Sequence, residues 1–270
     1  MHTEVPSWSG VAAATVLVGV AVLAAWRGRM RLVGDILVAA VRSGVQLVAV
    51  GAMLLLVFRH TGLAGAVGWL TVMVLLAGPV SARRAAGLPR ALLIATVSTG
   101  AATAATLGAL LALQVVSSDA RVVIPVGGMV VANTMQATSL VLVRIRDEVT
   151  TARAAIEARL ALGLSAAEAF APHQHTSLRT ALIPAIDSTK VVGLISLPGA
   201  MTGLIMAGVD PLTAIRYQIV VAYMLLAAAV LAALVAARLA ERVLFDDAHR
   251  LRTLQAPPAG PLRRRLARVR

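Results

Sequence analysis

Apolar residues run in long blocks along this chain, separated by short connections rich in arginine. A hydrocarbon core of about 30 Å takes about 20 residues of helix to cross. The blocks therefore predict seven membrane spans, at residues 8–26, 36–58, 63–80, 91–116, 122–143, 191–209 and 215–237. The remainder is short loops, one long connection (144–190) and a tail, which leaves no room for a soluble domain. The pattern predicts an all-α polytopic membrane bundle over residues 1–245, followed by a flexible polybasic tail over 246–270.

Composition agrees. Of 270 residues 59% are apolar and 14% are charged, against roughly 45–50% and 25% in soluble proteins. The formal charge of +13 raises the question of nucleic acid. However, the charges flank apolar runs and aromatic residues are only 3%, too few for base stacking. The absence of cysteine excludes a disulfide scaffold, a thiolate metal site and a cysteine nucleophile. A cleaved leader is not expected, because Glu4 precedes the first apolar run and Arg27, Arg29 and Arg31 follow it. A basic excess marks the cytoplasmic side. Placing Arg27–Arg31, Arg83–Arg90, the long connection and the tail inside leaves only Arg59 and Arg121 in external loops, so the N-terminus is predicted outside and the C-terminus inside. The tail carries Pro257, Pro258 and Pro261 ahead of Arg263, Arg264, Arg265, Arg268 and Arg270, a composition that suits a flexible segment on anionic lipid.

The long connection is the most informative stretch. Ile145, Val149, Ala152, Ile156 and Leu160 step by three and four along one helix face, and Arg153 and Glu157 are spaced for an i, i+4 pair. Gly163 stands where a helix ends in a left-handed cap. Ser165-Ala166-Ala167-Glu168 has the form of a capping box, opening a short helix that Pro172 is expected to stop. Ser177 is then expected to cap a returning helix. The whole reads as an elbow that lays a short helix across the cytoplasmic face. His173 and His175 form a His-x-His, read as solvated loop before metal site.

Three strings carry a resemblance. They are Pro125-Val126-Gly127-Gly128-Met129-Val130-Val131, Glu157-Ala158-Arg159-Leu160-Ala161-Leu162-Gly163, and the run from Ile186-Asp187-Ser188-Thr189-Lys190 through Ser196-Leu197-Pro198-Gly199-Ala200-Met201-Thr202-Gly203 to Asp210-Pro211 and Tyr217-Gln218. Together they resemble the FetB-type permeases, a family that includes a bacterial iron exporter's membrane subunit and plant aluminium-tolerance half-transporters. The resemblance runs from about Arg42 to Met224. It implies an ATP-binding-cassette permease without its own ATPase, export of iron or a related metal species, and residence in the cell inner membrane. It also implies a homodimer bound to a separate cytoplasmic ATPase, with ATP and Mg held by that partner. Coupling to the ATPase would then run through Glu157, Ala158, Gly163, Ser165 and Glu168. Arg159 stands where the importer-type Glu-Ala-Ala signature has its second alanine. The chain itself has no Gly-x-x-x-x-Gly-Lys-Ser/Thr, so it has no phosphate loop of its own.

Polar groups at membrane depth are costly and mark function or interhelical bonding. Arg42 and Gln46 share a face of the second span, and Met129, Asn133 and Gln136 share one in the fifth; the two faces are read as a candidate substrate path. Pro125, Gly127 and Gly128 are expected to loosen the outer turns of that helix. Asp187 and Lys190 read as an ion pair or a gate, and Gly199-x-x-x-Gly203 as a close helix approach within the bundle or across a dimer. An ion-gradient transporter is the alternative, but such proteins carry a carboxylate near the midplane, and every Asp and Glu here falls in a loop or at a membrane face. No zinc-hydrolase or serine-hydrolase motif supports an intramembrane enzyme.

Overall fold

The structure, a computed structural model, describes residues 8–29, 33–60, 62–195, 197–246 and 248–254. Arg31, Ser196 and the prolines and arginines of the tail beyond 254 lie outside the described residues. Among those described there are nine helices: α1 (Trp8–Arg27), α2 (Val33–His60), α3 (Gly62–Arg84), α4 (Ala91–Ala112), α5 (Ala120–Thr151), α6 (Arg153–Ala161), α7 (Ala166–Val191), α8 (Gly199–Met206) and α9 (Pro211–Leu244). Six of them, α1–α5 and α9, are long and apolar enough to cross a membrane. The molecule is an all-helical membrane protein.

The chain divides into two compact units, Met1–Gly62 with Met206–Gly208 and Leu63–Ile205 with Val209–Arg270. In the first, α1 and α2 pack on each other. In the second, α9 packs against α4, α5 and α7. Its sequence explains that position. Ala228, Ala229, Ala232, Ala233, Ala236, Ala237 and Ala240 are all fully buried and recur every four residues. Lipid is as apolar as leucine, so helices in a bilayer associate by close packing, which alanine stripes allow. The neighbouring α3 uses glycine in the same way. Thr96 of α4 lies directly over Gly78, and a Cβ on Gly127 of α5 would stand 2.5 Å from Leu70 Cδ2. Gly127 thus lets α3 and α5 approach closely.

Three expectations are corrected. Residues 191–209 do not form one span. Helix α7 ends at Val191, Gly193 takes φ +84°, and Pro198, which has no N–H to give a helix, precedes the eight-residue α8. Pro172 does not stop a helix either, and Ser177 caps nothing: both lie inside α7, where Ser177 is buried. Proline in a helix interior leaves the carbonyl four residues back without its partner. Here that carbonyl, on Glu168, accepts from Arg159 Nη2 at 3.4 Å.

Beyond Phe245 the described residues are folded as far as Leu254. Asp246 accepts from the backbone N–H groups of Ala248 and Arg250, Arg252 N–H donates to Leu244 O at 2.8 Å, and Phe245 and Leu251 form an antiparallel bridge.

Candidate functional site

The elbow is ordered and braced. Helix α5 has 32 residues, about 48 Å at 1.5 Å each, so roughly a third of it projects beyond a 30 Å hydrocarbon core. Its projecting end bends at Ala152 into α6. The predicted stripe holds: Ile145, Val149 and Ile156 are fully buried, and Leu160 packs against them. Arg153 pairs with Glu157 at 2.7 Å. Gly163 turns the chain with φ +89°, a conformation that would strain any side chain. Ser165 and Glu168 then form a complete capping box, with Ser165 N–H donating to Glu168 Oε2 at 2.9 Å and Glu168 N–H to Ser165 Oγ at 3.3 Å. The Ser165 hydroxyl, then its N–H, hold the exposed Glu168 carboxylate below its usual pKa. The short helix of the elbow is therefore α6, ahead of the glycine turn, and the long α7 follows it.

Two sets of contacts hold α6 in place, and a third ties the helices beside it. Ile156 packs in a core with Phe170 of α7, whose ring meets Phe245 edge-on at 6.1 Å. Arg153 donates to the carbonyls of Leu251 at 3.1 Å and Arg252 at 3.3 Å. Next to the elbow, His173 Nδ1 lies 2.8 Å from Glu148 of α5, and Gln174 donates to Glu241 Oε2 of α9 at 2.9 Å. His173 and His175 thus sit on a helix two residues apart, facing different ways, with no shared ligand geometry. Arg146 also donates to the last carbonyl of α3, on Arg84, at 3.2 Å. What remains uncovered is Ala154, Ala155, Glu157, Ala158, Ala161 and the turn at Leu162-Gly163. Leu162 is 81% exposed. It was not singled out in sequence, although an apolar residue off the helix stripe and beside the capping glycine is the signal that was available.

The polar residues of the spans belong to both units, and each is described within its own. Asn133 of α5 donates to the Leu225 carbonyl of α9 at 2.5 Å, an interhelical bond, while Met129 is half-buried and Gln136 exposed. Arg42 and Gln46 are exposed on α2, in the other unit, as are all of residues 41–50. Asp187 and Lys190 form an exposed pair at 3.3 Å. Within the described residues, no atom stands within 4 Å of where a Cβ on Gly199 or Gly203 would lie. Sequence reasoning missed Gln218 of α9, which is buried with its Oε1 unpartnered. It is a Gln in an apolar stretch, the same signal that brought Gln46 forward. Among the described residues no group of three or more His, Asp or Glu could hold a metal ion.

Comparison with known proteins adds the lineage. The chain is 40% identical to the UPF0014 membrane protein STAR2 of Oryza sativa subsp. japonica, over 88% of this chain and 84% of that one. It is 36% identical to Protein ALUMINUM SENSITIVE 3 of Arabidopsis thaliana, over 90% and 89%. With the probable iron export permease protein FetB of Escherichia coli (strain K12) it shares 33%, over 89% and 93%. No solved structure matches it. The model of the uncharacterised protein family UPF0014 matches residues 8–245, nearly the whole of the described chain, and the protein belongs to that family.

Proposed function

We propose that this protein is the membrane permease subunit of an ATP-binding-cassette transporter that exports iron or a related metal species from the cytoplasm. It would work in the inner membrane as a homodimer with a separate cytoplasmic ATPase. The observation that carries the reading is the elbow: a short helix, α6, held by the Ile156 core and the Arg153 hydrogen bonds and leading into an exposed apolar knob at Leu162. A surface that transmits a push must be stiff behind and open in front, and this one is both. The likeness to the probable iron export permease supports the substrate and the direction.

In this reading ATP binding closes the ATPase pair, and the pair moves α6. That helix has the buried Ile156 behind it and α5, α7 and α9 tied together beside it by Glu148–His173 and Gln174–Glu241. The displacement therefore passes to the span helices as a rigid shift. Glu157, Ala158, Gly163, Ser165 and Glu168 belong to this coupling surface, Gly163 as its turn and Ser165 with Glu168 as the start of the strut. Asp187 and Lys190 stand beside the break after α7, where a gate would sit. The test is uptake of labelled iron by inverted vesicles carrying permease and ATPase. ATP-dependent accumulation is expected; accumulation driven by a proton or sodium gradient without ATP would refute the reading.

A further inference from the structure

Helix α7 has two unlike sides. It packs on α5 and α9, and Phe170, Gln174, Ser177 and Ala181 make up its buried side. On the opposite side Thr176, Arg179, Ile183, Ile186 and Lys190 are all exposed and recur at steps of three and four. That spacing is the spacing of a seam between two helices. Asp187 stands on the same side, next to Ile186, and is exposed as well.

The depth of this face follows from its neighbours. Ser188 and Thr189, near the end of α7, line one small cavity with Asn133 of α5 and Leu225 of α9. The Asn133–Leu225 hydrogen bond lies near the middle of the apolar runs 122–143 and 215–237. Both of those helices are long and apolar enough to cross a membrane. Asp187 and Lys190 flank Ser188 and Thr189, so the pair stands near mid-membrane, deeper than the membrane face expected from sequence. Their side chains are 59% and 69% exposed, and Lys190 donates to Asp187 at 3.3 Å. Ionised groups at that depth do not face lipid; they face protein or a water-filled cavity.

What covers the face follows from its charge. Asp187 and Lys190 carry one charge of each sign, so the surface is complementary to itself. A two-fold axis along the membrane normal sets the same surface of a second copy against it. Asp187 then meets Lys190 of the second copy, and the reverse, across an axial offset of three residues, about 4.5 Å, which a lysine side chain spans. Ile183 and Ile186 meet their counterparts on the same seam. Four charges closed on one another are shielded from hydrocarbon, as two separate exposed pairs are not. We propose that this side of α7 is the dimer interface of the protein, closed near mid-membrane by crossed Asp187–Lys190 ion pairs. The proposal rests on the homodimer of the preceding reading and deepens it by naming the surface on which two copies meet.

The chain has no cysteine, so a single introduced thiol can form a disulfide only with a second copy. Full-length permease carrying Ile183→Cys or Ile186→Cys is oxidised in native membranes with copper phenanthroline and resolved on a non-reducing gel. Dimer is expected from both positions and not from Leu75→Cys, an exposed position on α3. Charge reversal supplies the second arm. With Ile183→Cys present, Asp187→Lys or Lys190→Asp alone should lower the dimer yield about tenfold or more, because like charges then face each other. Co-expression of the two variants under different tags should restore a mixed dimer, since one copy brings two positive charges and the other two negative ones. If neither charge variant inserts, the thiols at 183 and 186 decide the matter. Monomer at both positions, or no restoration on co-expression of inserted variants, would overturn the interface. Reaction of both thiols with a water-soluble maleimide without disulfide formation would show a water-filled cavity and overturn it too. Those results leave the transporter reading intact, whereas absence of ATP-driven vesicle transport with the disulfide dimer preserved would sink that reading and keep the interface.

Discussion

Removing the Arg153 side chain should loosen the brace behind α6 without unfolding the bundle. Its guanidinium donates to the carbonyls of Leu251 and Arg252 and also pairs with Glu157. A hydrogen bond from a charged donor contributes about 1.5–3 kcal/mol. The side chain is 35% exposed, so water screens it, and the sum falls to about 1–2 kcal/mol. That loss multiplies the opened fraction of the pairing between Leu244–Asp246 and Arg250–Arg252 by about 5–30. The reporters are two amides, Arg252 N–H on Leu244 O and Asp246 N–H on Arg250 O. Hydrogen exchange followed by mass spectrometry on Arg153→Ala should show their protection falling by that factor, while α5 and α9 exchange as before. Arg153→Lys keeps the charge but not the fork, and should fall between. Unchanged protection of these two amides, or an equal loss throughout α5 and α9, would refute the assigned role.

Gly127→Val should destabilise the folded protein by about 1–3 kcal/mol, because a Cβ there meets both Leu70 methyls and Leu107. Gly128→Ala, where the nearest atom is the mobile end of Met73 at 3.4 Å, is the control with little effect on thermal unfolding in detergent. Acidification should fray the start of α7: Glu168 is held below its usual pKa in the folded state, so its contribution is present above the unfolded value and is lost as pH falls through the folded one. Hydrogen exchange at Ala166–Ala169 should show that loss in wild type and no pH dependence in Glu168→Gln. For orientation, a cysteine placed at Asp119 should be labelled from outside the cell and one at Glu168 only after permeabilisation; the reverse pattern would contradict the inside C-terminus.

The sequence made the bundle legible because hydropathy reports directly on the solvent. It made the elbow legible because caps are local: Ser165, Glu168, Gly163 and the Arg153–Glu157 spacing act within one or two turns. What it could not show depends on distant neighbours. Pro172 reads as a stop until Arg159, thirteen residues earlier, is seen at the carbonyl it leaves free. That Gly127 lies under Leu70 is likewise seen only in the fold. The break after Val191 lies inside an apolar run, so a hydropathy count passes over Gly193 and Pro198 as part of one span. Asn133 and Gln218 are both amides in apolar helices, and only the Leu225 carbonyl tells the bonded one from the open one.

The central claim is that ATP hydrolysis in a partner is coupled to export through the α6 elbow. The most direct measurement is the number of iron ions moved per ATP hydrolysed, by purified permease and ATPase in sealed vesicles, for wild type and for Leu162→Asp and Gly163→Val. The account predicts a fixed ratio in wild type and a collapse of that ratio in both variants, with the permease still inserted and ATP still hydrolysed. Wild-type ratios in both variants would contradict it.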